Sequence, residues 1–216
     1  PTIQIGNQVW MAENLKVTHY RDGTAITNES DDDNWAALTT EAYCIYNNNA
    51  ANEANLFGAL YNWYAVEDTR NIAPEGWHVP TEAEWKELEV TLGMDVIEAN
   101  TYGWRGTNEG SMLAGNENLW VEGDLVTNSQ FAATDFNAIP GGLRPNNSGN
   151  YEFMGTHSYF WSSTAEGDFG WSRGLYYNYS FPGRTHDGKN NGFSIRCIKN
   201  LTTSQVDISV MKSNQV

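Results

Sequence analysis

Four histidines and two cysteines are the residues of this chain best suited to metal, redox or nucleophilic chemistry, and their spacing assembles none of it. His19, His78, His157 and His186 show no i, i+4 pairing, so no two of them would face a metal from one helix. His78, inside Trp77-His78-Val79-Pro80, reads as a core histidine with a satisfied partner. Cys44 and Cys197 each lie in a strand-like run far apart in sequence. A disulfide between them would tie the beginning of the chain to its end and contribute about 2–4 kcal/mol. Two buried free thiols are the alternative. The scarcity of lysine and the wealth of Asn, Gly, Ser and Tyr, a composition of secreted chains, favour the bridge. No Ser-His-Asp arrangement, phosphate-cradling glycine loop or carboxylate pair stands out.

What the residue types do support is recognition. Tyr176, Tyr177, Asn178, Tyr179, Arg184, His186, Asp187, Asn190 and Asn191 crowd into one segment near the C-terminus. Tyrosine offers a large contact area at small rotamer cost, while Asn, Ser and Gly adapt their hydrogen bonding. The stretch from Asn178 to Asn191 is therefore expected to be a solvent-facing binding loop, with Tyr177 equally suited to pack inward. Aromatic faces stack on sugars as well as on protein, so a glycan and a protein ligand fit the composition equally.

Strands must frame that loop. Tyr159-Phe160-Trp161, Trp171 to Tyr177 and Phe193 to Ile198 read as three antiparallel strands, the last alternating with Phe193, Ile195 and Cys197 inward and Ser194 and Arg196 outward. Thr2 to Trp10 reads as a hairpin turning at Gly6-Asn7. Leu56, Leu60, Trp63 and Tyr64 fall at helical spacing, and Thr81 with Glu84 forms a capping box opening a helix that Gly93 ends. The acidic run Asp31-Asp32-Asp33 reads as a solvated loop. Residues 101–129 read as a long loop anchored by Trp104 and Trp120. Phe136 to Ile139 reads as a strand and Pro140-Gly141-Gly142 as a turn.

The 216 residues, 40% hydrophobic and 13% aromatic, suffice for a real core. A formal charge of -15 repels phosphate backbones, which excludes nucleic acid as a natural partner. No run is apolar enough for a membrane span, and the N-terminus lacks a signal core. The expectation is a secreted or cell-surface anchored protein whose signal segment is absent from this sequence.

Ile5 to Leu15, Gly58 to Ala65, Gly76 to Trp85, Ile139 to Arg144, Phe160 to Thr164 and Gly192 to Cys197 occur together in one order. With them the chain resembles the Fibrobacter succinogenes major paralogous domain family over Thr2 to about Asn200, leaving residues 201–216 as a tail or added strand. These bacterial surface modules are similar to the formylglycine-generating branch of the C-type lectin-like fold. The resemblance implies an α+β domain with two helices packed on a small twisted antiparallel sheet, adjacent termini and long loops opposite. A copper oxidase of that branch would need a close pair of thiols, which two cysteines in separate strands do not promise. The calcium-chelating tripeptides of sugar-binding C-type lectins are missing, so no cofactor is expected, and calcium held by scattered loop oxygens stays open with no motif behind it. Some members of this fold are diversified by reverse-transcription mutagenesis of Asn codons, and the Asn-rich segment before the last strand has the composition of such a target. A non-catalytic extracellular binding module is the leading expectation. The alternatives are a structural module of an envelope or adhesin protein and, last, the oxidase.

Overall fold

A computed structural model of the chain describes residues 1–49 and 53–201, so the expected C-terminal tail falls almost wholly outside the described residues. The molecule is mixed α+β. Its elements run β1 (Thr2–Ile5), β2 (Gln8–Met11), α1 (Asp32–Ala36), β3 (Tyr43–Cys44), α2 (Glu53–Phe57), β4 (Leu60–Tyr61), α3 (Trp63–Glu67), β5 (Trp77–His78), α4 (Glu82–Thr91), α5 (Val96–Ala99), β6 (Gly103–Trp104), α6 (Glu109–Leu113) and α7 (Asp124–Thr127). There follow β7 (Gly141–Leu143), β8 (Glu152–Met154), β9 (His157–Glu166), β10 (Phe169–Tyr176), β11 (Gly183–Gly188) and β12 (Ile198–Lys199).

The β1–β2 hairpin forms at Gly6-Asn7, and Ile198 of β12 pairs with Trp10 of β2, so the two ends of the domain meet in a four-stranded sheet ordered β1-β2-β12-β5. A six-stranded sheet, β6-β11-β10-β9-β7-β8, carries the centre of the molecule. On one of its faces α4 buries Trp85 and Leu88 in a core with Trp10, Phe136 and Phe160. On the other, Trp161, Phe193, Tyr61, Ile195 and Cys197 form a second core. The capping box is as expected: Thr81 accepts from the Glu84 backbone N–H while the Glu84 carboxylate accepts from the Thr81 N–H.

Several expectations are overturned. The apolar stripe over residues 56–64 is not one helix: Gly58, at φ +81°, ends α2, β4 follows, and Asn62 caps α3 by accepting from the Ala65 N–H. A Cβ at Gly58 would stand 2.8 Å from the Leu15 carbonyl oxygen, so the chain needs glycine at this crossing. Asp31 to Asp33 is not a loop but the cap and first turn of α1, held by the buried Arg144, which donates to Asp32 at 2.8 Å. Residues 101–129 contain β6, α6 and α7, with Trp120 buried as an anchor and Trp104 not. Gly141 and its neighbours form β7 where a turn was expected, and Ala138 contributes only an isolated bridge to Ala114.

The meander is shifted. Its third strand is β11, not residues 193–198; that segment crosses the molecule as isolated bridges before β12 and is buried on both sides. Arg196, expected outward, is fully buried, donating to Asn14 Oδ1 at 2.6 Å from Nη2 and, through Nη1, to the Phe136 carbonyl.

The expected disulfide is corrected too. Both cysteines are free and fully buried, Cys44 with Trp35, Tyr46 and Leu60 and Cys197 in the core around Tyr61. Leu60 and Tyr61, consecutive in β4, pack on these two different clusters, so the strand stands between the thiols. Burial pushes each thiol up to about 12, which keeps both protonated and unreactive.

Candidate functional site

The six-stranded sheet presents opposite chemistry on its two faces, and the register of β6, β11, β10 and β9 decides which residue looks where. Arg173 of β10 is directly opposite Arg184 of β11, and both point toward α4. There Arg173 donates from Nη1 and Nη2 to the two Glu82 carboxylate oxygens at 2.9 and 3.0 Å and from Nε to Glu89 at 2.7 Å. Arg184 donates to Glu82 at 2.5 Å and Arg105 to Glu89 at 2.6 Å. Burial alone would raise the Glu82 carboxyl, but Arg173 and Arg184 outweigh it and hold the group below the usual carboxylate range. Arg184, expected as an exposed contact, is thus a buried strut at 8% exposure, with its guanidinium 3.9 Å over the Trp171 ring.

The opposite face is aromatic. Trp104 pairs with Gly183, Gly183 with Gly174 and Gly174 with Tyr159, one line across four strands, with His157 and Tyr176 paired beside it. Gly174 and Gly183 carry no side chain, and a Cβ at Gly183 would come within 3.0 to 3.3 Å of three atoms of the Trp104 benzo ring. The indole therefore lies down against the sheet. Tyr176 fills the remaining floor: its hydroxyl shares a short hydrogen bond with that of Tyr159, and its ring stands 4.3 Å from Trp104 and 3.8 Å from His157. Tyr179 joins Trp104 at 4.7 Å, Phe181 joins Tyr179 at 5.2 Å and Phe153 joins His157 at 4.4 Å. Trp104 is 38% and Phe153 46% exposed, with the other rings half-buried.

Polar groups flank these rings. Asp187 Oδ2 accepts from Ser172 at 2.6 Å and from Thr185 at 3.0 Å. Its charge acts on both Tyr159 and Tyr176, whose phenols are pushed upward chiefly by burial. Burial also pushes the His157 imidazole down to about 4, so it is neutral at physiological pH.

Of the residues singled out in the sequence, Tyr176, Tyr179 and Asp187 come together here. His186 lies on the α4 face instead, among Tyr102, Phe169 and Trp171. Tyr177 packs on the core beneath α4, and Asn178 is exposed. The Asn190 side-chain amide donates to the Ala36 carbonyl and that of Asn191 to the Gly188 carbonyl, so both tie the chain to itself. His78 has the partners expected of it, Glu84 and Asn200, but it is half-buried and not a core histidine. Trp104, His157, Tyr159, Phe153 and Phe181 were missed. The i, i+2, i+4 spacing of His157, Tyr159 and Trp161 is the signal that places three rings on one strand face.

Among the described residues no group of three or more His, Cys, Asp or Glu could hold a metal ion, and no helix is long and apolar enough to cross a membrane. The family profile described as Fibrobacter succinogenes major domain matches residues 3–199. The chain belongs to that family. No curated protein and no solved structure matches it. The Fibrobacter succinogenes major domain thus spans the four-stranded and six-stranded sheets, from β1 to β12.

Proposed function

We propose that this chain is a non-catalytic binding module with a C-type lectin-like architecture, displayed outside the cell, whose ligand lies on the aromatic face of β6 and β9–β11. The observation that carries the reading is the continuous set of rings, Phe153, His157, Tyr176, Trp104, Tyr179 and Phe181, laid half-exposed on a glycine floor. Half-exposed rings fixed on strands lose little conformational freedom on contact, so burying them favours binding with a small ordering cost. Behind them the five buried charges of Glu82, Glu89, Arg105, Arg173 and Arg184 hold the strands. The oxidase alternative asks for adjacent reactive thiols, whereas Cys44 and Cys197 are protonated and in separate clusters. The test is a screen of the domain on glycan and surface-protein arrays, repeated with Trp104→Ala and Tyr176→Ala. Ligands that the parent binds and both variants lose support the site. Hits retained in full by both variants move the site elsewhere, and no hits at all favour a structural module.

A further inference from the structure

Resting on that reading, we propose that the ligand taken by this face is a neutral saccharide, held by ring stacking and hydroxyl hydrogen bonds without a bridging metal ion. The charge inventory narrows the class first. The carboxylates that act on Tyr159 are Asp187 and Glu152. The nearby cations are spent elsewhere: Arg173 and Arg184 turn to Glu82 and Glu89 on the other face, and Lys189 pairs with Glu67 at 2.9 Å. A face bordered by negative charge, on a chain of net charge -15, repels anionic ligands.

A quaternary or primary ammonium would need rings standing apart as a cage. Here the rings touch each other, His157 to Tyr176 at 3.8 Å and Tyr176 to Trp104 at 4.3 Å, and form a contiguous table in place of a cage. Such a table matches the C–H face of a pyranose ring. The groups beside it complete the match. Asp187 uses Oδ2 for Ser172 and Thr185, leaving Oδ1 as an acceptor for a ligand hydroxyl. Ser172 and Thr185 bond to each other and to Asp187, which fixes the carboxylate on this face, while Tyr159 and Tyr176 bond to each other. A half-buried carboxylate oxygen on the same face as the rings is placed to accept from ligand hydroxyls.

The experiment is affinity gel electrophoresis of the domain through laminarin, galactomannan, glucomannan and dextran, with polygalacturonate as the anionic probe and chitosan as the cationic one. Each gel is run with EDTA and at low and high salt. Retardation by at least one neutral polymer is expected, unchanged by EDTA and by salt, and weakened at least tenfold by Trp104→Ala and by Asp187→Asn. Unchanged thermal melts show both variants to be folded. Retardation by none of the neutral polymers, loss of it in EDTA, or a preference for chitosan or polygalacturonate overturns the proposal. If Trp104→Ala still abolishes capture of a protein or a charged polymer, the ligand class falls and the binding face stands. If Trp104→Ala changes nothing on any probe, the face falls as well.

Discussion

Trp104 and Arg184 stand on neighbouring strands, β6 and β11, but face opposite ways, and truncating them should change different quantities. Trp104→Ala removes an exposed ring and should shift stability by no more than about 1 kcal/mol while abolishing ligand capture. Arg184→Ala leaves Glu82 with one cation fewer in a buried setting and should cost on the order of 3 kcal/mol, read as a lower urea midpoint. Glu89→Gln should cost about 3–5 kcal/mol, since both Arg105 and Arg173 lose the charge they point at. A urea midpoint for Glu89→Gln equal to that of the parent would remove this cluster from the account of what holds the sheet. The sequence could not separate the two roles. Arg184, His186 and Asp187 are near neighbours in a polar run, and only the register of β11 sends the first two to the α4 face and the third to the rings.

At the scale of elements, what was legible in the sequence is what local chemistry determines. The β1–β2 hairpin and α4 formed as read because a two-residue turn and a capping box are decided by residues in contact along the chain. Thr81→Ala should accordingly cost about 1 kcal/mol, measurable as a small fall in melting temperature. Residues 56–64 misled because apolar spacing reports burial without reporting what interrupts the backbone. Gly58 at φ +81° and the Asn62 cap do interrupt it. Gly58→Ala would combine a left-handed backbone with a Cβ against the Leu15 carbonyl, and a loss of about 1–3 kcal/mol is expected in the same melt. The 193–198 segment misled for a related reason: alternation predicts one wet face, but here Arg196 has its own buried carbonyl and amide partners. Only part of the candidate site, Tyr176, Tyr179 and Asp187, was readable as composition. Trp104 and His157 were not, because strands this far apart in sequence meet only through sheet order.

For the molecule as a whole, two histidines give stability opposite slopes in pH. Burial among rings pushes His157 down to about 4, while the unfolded imidazole titrates near 6.5. The unfolded state therefore takes the proton first, so His157 contributes its stability fully above about pH 6.5 and loses it as pH falls toward 4. His78 is shifted the other way, chiefly by its hydrogen bond to Glu84, against an opposing effect of burial. Its contribution is full below about pH 6.5 and is lost as pH rises through its elevated folded value. Burial works to raise Glu82 and Glu84, yet their partners hold both low, so they keep contributing until pH falls below about 4. Acidification also relieves the self-repulsion of a chain carrying -15, which opposes the His157 loss and flattens the acid limb of the parent protein. The difference between parent and variant removes that background. Urea midpoints measured from pH 4 to 9 should show His157→Phe falling less than the parent between pH 6.5 and 4, and His78→Gln falling less than the parent above pH 6.5. An acid limb identical in His157→Phe and the parent would mean the imidazole is not held neutral among the rings, and the uncharged character of the proposed binding face would go with it.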